Sequence, residues 1–429
     1  MFTVTPENVI FIVIAFEGPD VYSRAGGLGV RVAEYSQQLA ELGFNVHTFF
    51  VGDPSLPGIE KQGNLTYYRW CQWISNYYPQ GVYAGEEDKL RDFQKSLPPF
   101  VINNIIMPAI MHGKIPVIIG EEWHTAGTII NISNILYSRG LKPRCLLMWN
   151  ANNTFSFWRI NWAQLNFNAT ITTVSRYMKI LMWKWGVNPM VIHNGIPKRL
   201  LTQPPKHLVG KIKNLTQKYL LISKIGRYDP AKRWIMAIEA VALLKRMGYH
   251  PLLLMRGGME PHRQEVLATA WQKGLNVKEL KLPRSSSEEI LKQLDAVLHS
   301  DDNIDIIELN FFVPEELLRA IYQSSLGVLA NSGHEPFGLV GLEVMASGGI
   351  AFTGATGEEY ARDGYNAIVV ETEDPAEIAV FLAHIYNNPE EGESLRKAGI
   401  ETAKNFTWDK VLFSLFRKLE FIATLQGIE

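Results

Sequence analysis

The sequence predicts an α/β protein made of two doubly wound, Rossmann-like domains. Three observations predict it. Short apolar runs alternate with runs at helical spacing over most of the 429 residues. Glycine turns follow several of the apolar runs, as they do where a buried parallel strand hands over to a helix. A punctuated junction, His193-Asn194-Gly195-Ile196-Pro197 followed by the polar stretch Thr202–Lys218, separates two such series. The length is enough for two or three real cores.

The first series opens with Val9–Phe16, a buried strand cut off by Glu17-Gly18-Pro19. Leu28, Val32, Tyr35, Leu39 and Leu42 then recur at helical spacing, and Gly43 closes the helix before the strand Phe44–Val51. Ile115–Gly120, Cys145–Trp149 and Ile171–Val174 read as further strands of this half. The second series begins at Tyr219–Ile225 and continues through the helix of Trp234, Ile238, Val241 and Leu244. Pro251–Met255, Ile306–Phe311, Gly327–Ala330 and Ile350–Thr353 read as its other strands. Residues 259–305 are polar and helical in character, with Arg284–Glu288 as a loop and cap. From Leu339, apolar residues at Leu342, Met345 and Ala346 predict a helix that Gly348-Gly349 ends. The tail from Phe406 to Ile428 is predicted to be one amphipathic helix.

Composition is that of an ordinary globular protein: 47% hydrophobic and 20% charged residues, with 42 Lys+Arg against 43 Asp+Glu. Balanced charge gives no reason to expect a nucleic-acid partner. Cys71 and Cys145 form no zinc or redox pattern and suggest a reduced compartment. No apolar run is long enough to span a bilayer, so a cytoplasmic protein is expected. Tyr177–Trp185 mixes aromatic, aliphatic and basic residues. It reads as a helix packed on its own domain, with peripheral membrane contact as the other reading.

Four segments carry candidate chemistry. Glu335-Pro336-Phe337-Gly338-Leu339-Val340 leads into the helix that bears Glu343, so two carboxylates lie eight positions apart across a loop-to-helix turn. The amides of Phe337, Gly338 and Leu339 sit at the helix N-terminus, where unpaired N–H groups and the dipole favour an anion. Gly226-Arg227 to Lys232-Arg233 follows the first strand of the second series and offers cations at a strand end. Arg24-Ala25-Gly26-Gly27-Leu28-Gly29 lies between the first strand and first helix, where glycines let amides approach a phosphate. Glu122-Trp123-His124 follows the strand Ile115–Gly120.

The Glu335-to-Glu343 stretch resembles the E-x(7)-E motif of retaining GT-B glycosyltransferases, above all family 4 and the related glycogen and starch synthases. The added Pro-Phe-Gly-Leu and Met-Ala strengthen the likeness. Arg227 and Lys232 resemble that family's G-R-x-x-x-x-K segment, Arg24-Ala25-Gly26-Gly27-Leu28 its K-x-G-G-L loop with Arg in place of Lys, and Glu122-Trp123-His124 its D-W-H segment with Glu in place of Asp. The resemblance implies two domains facing across a cleft: residues 1–195 on the acceptor side and 196–405 for the nucleotide sugar, with 406–429 crossing back. It implies Glu335, Arg227, Lys232 and Glu122 as catalytic residues. Donor contacts would come from Arg24, Gly26, Gly27, Phe337, Gly338, Leu339, Val340 and Glu343, with Phe312 and Val313 beside the base. Where many members place a His on the donor sugar this chain has Trp149, followed by Asn150. Trp can donate one hydrogen bond but cannot titrate.

The implied function is transfer of a hexose from a UDP-, ADP- or GDP-sugar to an acceptor hydroxyl, with retention by front-face substitution. No Asp-x-Asp pair or His/carboxylate cluster suggests a metal, and no cofactor is expected. The acceptor could be a glucan, a small sugar or polyol, or a lipid. The main alternative is a catalytically silent GT-B subunit that binds a sugar nucleotide or scaffolds a partner. An epimerase lacks its acid–base set here, and a phosphorylase its cofactor-binding lysine.

Overall fold

The computed structural model describes residues 2–354 and 357–428. These divide into two compact units: residues 1–195 with 408–429, and residues 196–407. The chain therefore passes between units twice, after Gly195 and after Thr407.

The first unit holds eight strands: β1 Val9–Ile14, β2 Asn45–Val51, β3 Ile59–Gln62, β4 Leu65–Trp70, β5 Ile115–Glu121, β6 Leu146–Ala151, β7 Thr170–Thr173 and β8 Met190–Val191. Their order is β3-β4-β2-β1-β5-β6-β7-β8, and all pairs are parallel except β3–β4. Every residue of β1 is buried, because a central parallel strand is covered by helices on both faces. The helix Gly27–Glu41 follows β1, and Tyr35 and Leu39 lie in the core shared with Phe11 and Val13.

The second unit holds β9 Leu220–Ile225, β10 Pro251–Arg256, β11 Val277–Leu280, β12 Ile306–Leu309, β13 Gly327–Ala330, β14 Ala351–Thr353 and β15 Ile368–Val369. The order is β11-β12-β10-β9-β13-β14-β15, parallel throughout. Alternate residues feed two cores. Leu220 and Ile222 join one with Trp234 and Leu253, while Leu221 joins the other with Leu252 and Leu254. The described architecture is the doubly wound α/β class in both units.

One local expectation is corrected, and two segments gain detail that their sequence did not carry. The tract 259–305 is not all helix. It contains β11 between the helices His262–Gln272 and Ser287–Ser300. Val277-Lys-Glu-Leu is an edge strand with one neighbour, so its sequence is half polar and lacks the run that marks a central strand. The β3–β4 hairpin turns at Gly63-Asn64 with Gly63 in the left-handed region, φ +59°. Its alternating burial gives no apolar run. The segment Tyr177–Trp185 is a seven-residue helix, Arg176–Met182, and a short 3₁₀ turn over Trp183–Trp185. Met178 and Met182 are buried, while Ile180, Trp183 and Trp185 are exposed. Among the described residues no helix is long and apolar enough to cross a membrane.

The final helix runs Trp408–Leu425 and belongs to the first unit. It begins after Thr407 because Thr407 bridges Ile196, and Ile196 N donates to the Phe406 carbonyl at 2.8 Å. Leu412, Leu415 and Leu419 enter the core of the first sheet. Trp408 anchors the start: it is 2% exposed, lies edge-on to Tyr35 at 5.8 Å, and its indole N–H donates to Glu34 at 3.1 Å. A Cβ on Gly195 would come within 2.6 Å of that ring, so residue 195 must be small.

Removing the indole should therefore leave a cavity where the helix meets the sheet. Trp408→Ala is expected to cost about 3–5 kcal/mol in the first unit, within the range for a buried large aromatic. Denaturant unfolding followed by circular dichroism measures it, and a loss under ~1 kcal/mol would mean the helix is not anchored there.

Candidate active site

In the first unit, parallel pairing brings the C-terminal ends of β1, β5 and β6 to one edge. The turn after β1 carries Gly26 and Gly27, and three amides here are engaged. Glu17 Oε2 accepts from the amides of Ala25 (3.2 Å), Gly26 (3.0 Å) and Gly29 (3.1 Å). Tyr83 donates its hydroxyl to Glu17 Oε1 at 2.5 Å. Arg24 is exposed and turns its guanidinium back to the Pro19 carbonyl at 2.8 Å. Gly27 is exposed, with open space where a Cβ would stand.

The end of β5 carries two successive acids with opposite surroundings. Register places Glu121 beside Asn150 and Gly120 beside Trp149. Glu121, 1% exposed, pairs with Arg31 at 3.2 Å and accepts from Asn150 (3.0 Å) and Asn152 (2.7 Å). Arg31 also donates to Asn194 and lies over the Trp408 ring at 5.5 Å. A buried ion pair needs such extra donors and acceptors to offset its desolvation.

Glu122 has fewer partners. Its backbone is in an unusual left-handed region, φ +68°. Its Oε1 accepts from the amides of Asn152 (2.5 Å) and Asn153 (3.1 Å), while Oε2 is buried without a partner. Burial raises its pKa to about 8 despite those amides, and the charge of Glu121 adds to the rise. Trp149 is fully buried, edge-on to Trp162 at 5.6 Å, and its indole N–H donates to the Glu122 carbonyl at 2.9 Å. Asn150 is 1% exposed and bonded to Glu121 and Thr172. Here Trp149 and Asn150 hold strand ends together with their polar atoms already used.

In the second unit, β9 and β13 lie side by side, and their following loops meet. Asp229 caps a short turn, Pro230–Lys232, by accepting from the Ala231 amide at 2.8 Å. The Gly333 amide donates to the Ala231 carbonyl at 2.8 Å, which ties this turn to the loop of Glu335. A Cβ on Gly333 would meet the Arg233 guanidinium at 2.8 Å. Across this tie Lys232 Nζ meets Glu335 Oε1 at 2.7 Å, both side chains about a quarter exposed. Arg227 is exposed, and its carbonyl accepts from the indole of buried Trp234 at 2.8 Å.

The helix Leu339–Ala346 starts from Gly338, whose φ of +78° and ψ of +56° suit glycine. Gly338, Leu339, Val340 and Glu343 are part-exposed, and Phe337 is buried against Tyr360 at 5.7 Å. Tyr360 donates its hydroxyl to the Gly338 carbonyl. Burial pushes the Tyr360 hydroxyl pKa up, and the charges of Glu335 and Glu343 push it further, so both carboxylates lie near one ring. Phe312 is 57% exposed, Val313 is buried, and the Arg284 guanidinium lies over the Phe312 ring at 5.9 Å.

Two groups at these strand ends carry no motif. Glu17 was legible only as a strand terminator. Lys224, on β9, is 2% exposed and donates to the Leu329 carbonyl (3.1 Å) and Asn331 (2.6 Å). Burial lowers its pKa to about 7, helped by the charge of Lys232 and opposed by that of Glu335. Its partners are more than 100 residues away, beyond any local signal. Among the described residues no group of three or more His, Cys, Asp or Glu side chains is disposed to hold a metal ion.

Glu122 makes a stability prediction with a definite sign. Its folded pKa, about 8, lies above the ordinary 4.5. Between these values the folded state binds the extra proton, so the group's contribution is full below the lower value and is lost as pH rises through the higher one. Glu122→Gln should remove that loss. The stability of the variant relative to the parent should rise from pH 4.5 to pH 8, read by denaturant midpoints. A difference that stays flat would mean Glu122 is ionised throughout.

Residues 209–402 match the family described as glycosyl transferases group 1. A curated relative, the D-inositol 3-phosphate glycosyltransferase of Geodermatophilus obscurus, is 22% identical over 416 residues, covering 91% of this chain and 84% of its own. A shorter alignment to another enzyme of that description spans about a quarter of each chain. Among solved structures, sucrose-phosphate synthase from Thermosynechococcus elongatus superposes with a TM-score of 0.65 at 17% identity, over 96% of this chain and 100% of that one. A UDP-forming α,α-trehalose-phosphate synthase from Burkholderia xenovorans, solved with glucose-6-phosphate, gives 0.65 at 12% identity, over 96% and 100%. Residues 209–402 thus carry the match to glycosyl transferases group 1, and the chain as a whole shares the two-domain GT-B fold of these solved enzymes.

Proposed function

We propose that the protein transfers a hexosyl group from a nucleoside-diphosphate sugar to an acceptor hydroxyl, with retention at the anomeric carbon and without a metal. The observation that carries this reading is the Lys232–Glu335 contact at 2.7 Å. It joins a cation-bearing turn to the loop before a part-exposed helix N-terminus, on the strand-end edge of one parallel sheet. Such an edge is where doubly wound sheets bind ligands.

The donor diphosphate takes the positions served by Arg227, Lys232 and the amides at Gly338 and Leu339. Charge-assisted bonds there stabilise the phosphate as its bond to the sugar breaks. Glu335, in the loop, orients the hexose. Glu343, one turn into the helix, takes the ribose hydroxyls, and the base lies along Phe312 and Val313. In the first unit Glu122, held protonated over much of the neutral range, serves as a hydrogen-bond donor toward the acceptor side. The glycosidic C–O bond to the phosphate breaks, the acceptor oxygen bonds to the same face of the anomeric carbon, and the acceptor's proton passes to the departing phosphate. Uridine is the preferred base, since the trehalose-phosphate synthase of like fold is UDP-forming. A hydroxyl of a small sugar phosphate or cyclitol phosphate is the preferred acceptor, in keeping with the names of the similar proteins.

Arg227→Ala and Lys232→Ala are each expected to weaken UDP binding by about 1.5–3 kcal/mol, the worth of a charge-assisted hydrogen bond, and uridine binding far less. Calorimetry with both ligands checks this. Equal losses would place the two cations away from the diphosphate.

The two glutamates should fail in different ways. Glu343→Ala should raise the inhibition constant of UDP. Glu335→Ala should leave that constant close to the parent's and lower turnover of the UDP-sugar, including its slow hydrolysis without acceptor. That hydrolysis should persist in EDTA. Complete loss in EDTA with recovery on adding a divalent ion would overturn the metal-free reading.

A further inference from the structure

A lysine buried without a carboxylate partner loses the water that would stabilise its charge. Lys224 on β9 is such a group. It is 2% exposed, and its Nζ donates to two uncharged acceptors, the Leu329 carbonyl at 3.1 Å and the Asn331 side-chain oxygen at 2.6 Å. Two acceptors satisfy the two N–H bonds of a neutral amine, whereas an ammonium has three to place. Nζ also lies over the Trp234 ring, 5.1 Å from its centroid. Asn331 is fully buried at the base of the loop that carries Glu335. The charged groups facing Lys224 come from two loops: Lys232 and Arg233 from the turn after β9, and Glu335 from the loop after β13. Met255, its partner on β10, and Trp234 and Met236 of the next helix bring no charge. Glu335 is already joined to Lys232 at 2.7 Å, and Arg233 to Glu373 at 2.7 Å. Burial, with the charge of Lys232, holds the Lys224 pKa down to about 7 against the pull of Glu335.

We propose that Lys224 is a positioning residue whose proton is coupled to the donor: the amine is neutral while Lys232 faces only Glu335, and it takes one proton from solvent when a diphosphate settles on the Lys232 turn. The proposal rests on the glycosyl-transfer reading, which puts that diphosphate at Arg227, Lys232 and the Gly338 amide. A nucleoside diphosphate brings more negative charge than one carboxylate, so the balance at Nζ turns toward the ammonium. Buried surroundings carry that field farther than water would. The step balances: the buffer gives up H⁺, Nζ becomes an ammonium, and no bond to the ligand forms. The bonds to Leu329 and Asn331 become charge-assisted, which ties the base of the Glu335 loop more firmly to β9. The sign of the pH dependence follows by linkage. The complex holds the extra proton, so UDP affinity is full below the Lys224 pKa of the free protein. It falls as pH rises through that value toward the higher pKa of the complex.

Calorimetry of the full chain at about pH 8 reads the proton directly. UDP is fully ionised there, since a phosphate's second pKa is about 6, and so releases no proton of its own. UDP and uridine are titrated in three buffers of different ionisation heat, and the slope of observed heat against buffer heat gives the protons taken up. In the parent, UDP should take up between about half a proton and one, and uridine about none. Lys224→Met, similar in length and uncharged, should bind UDP without uptake and lose the fall in affinity with pH. Lys224→Arg, charged throughout, should also show no uptake. A lysine that only ties two loops together would leave the uptake unchanged when replaced. The parent alone decides the matter if the variants do not fold. With ¹³C-labelled lysine, one side-chain signal should titrate near neutral pH in the free chain and at higher pH with UDP. UDP binding without uptake in the parent overturns the proposal, as do equal uptake with uridine, uptake in a folded Lys224→Met, or the lack of such a lysine signal. No UDP binding at all sinks the glycosyl-transfer reading, and this proposal with it.

Discussion

Parallel strand pairing is the constraint from which the rest follows. Every crossover between parallel strands must return the chain to the same edge, so the strands it joins point their C-terminal ends one way. In the first unit this puts the turn after β1, the acids after β5 and the asparagines after β6 on one edge. In the second it puts the Arg227–Lys232 turn beside the Asn331–Glu335 loop. Central strands buried on both faces supply rigid supports for these loops. A rigid support matters because donors hold a developing charge well only if they do not have to move to meet it.

Within that constraint the two edges carry opposite electrostatics. The second unit gathers Lys224, Arg227, Lys232 and Arg233 around Asp229 and Glu335 at the junction of its loops, with Glu373 pairing Arg233 farther out at 2.7 Å. Lys224 cannot keep a full charge cheaply in that company, and burial with a like-charged neighbour lowers its pKa to about 7. The first unit gathers Glu17, Glu86, Glu121 and Glu122. It offsets three of them by separate routes: backbone amides for Glu17, the buried Arg31 for Glu121, and a raised pKa for Glu122. His124, 2.8 Å from Glu86 and stacked on Phe16, is held toward its neutral form by burial. An excess of cations at the second unit's edge suits phosphate.

Strand ends also explain the rigid aromatic setting. Trp149 fills the core below β6, between Phe157 and Trp162, and Phe157 and Trp162 each lie 6.0 Å from Trp185. The indole fixes the Glu122 carbonyl and with it a residue in a strained backbone region. Large apolar side chains here position acids. That is a packing role, and it differs from the sugar contact that the family resemblance implies for this position.

The α/β class with two parallel sheets could be read from the sequence, because central buried strands are apolar runs and helices repeat at 3.6 residues. The helix at Leu339–Ala346, its loop before Glu335 and the closing helix were legible for the same local reason. Edge elements such as β3, β8 and β11 were not, since an edge strand needs no apolar run. What tertiary structure alone decided is which polar groups meet. Tyr83 reaches Glu17 from 66 positions away and Lys224 reaches Asn331 from 107. Local periodicity is silent at that range. Only the folded packing brings Glu17 under the amides of Ala25, Gly26 and Gly29.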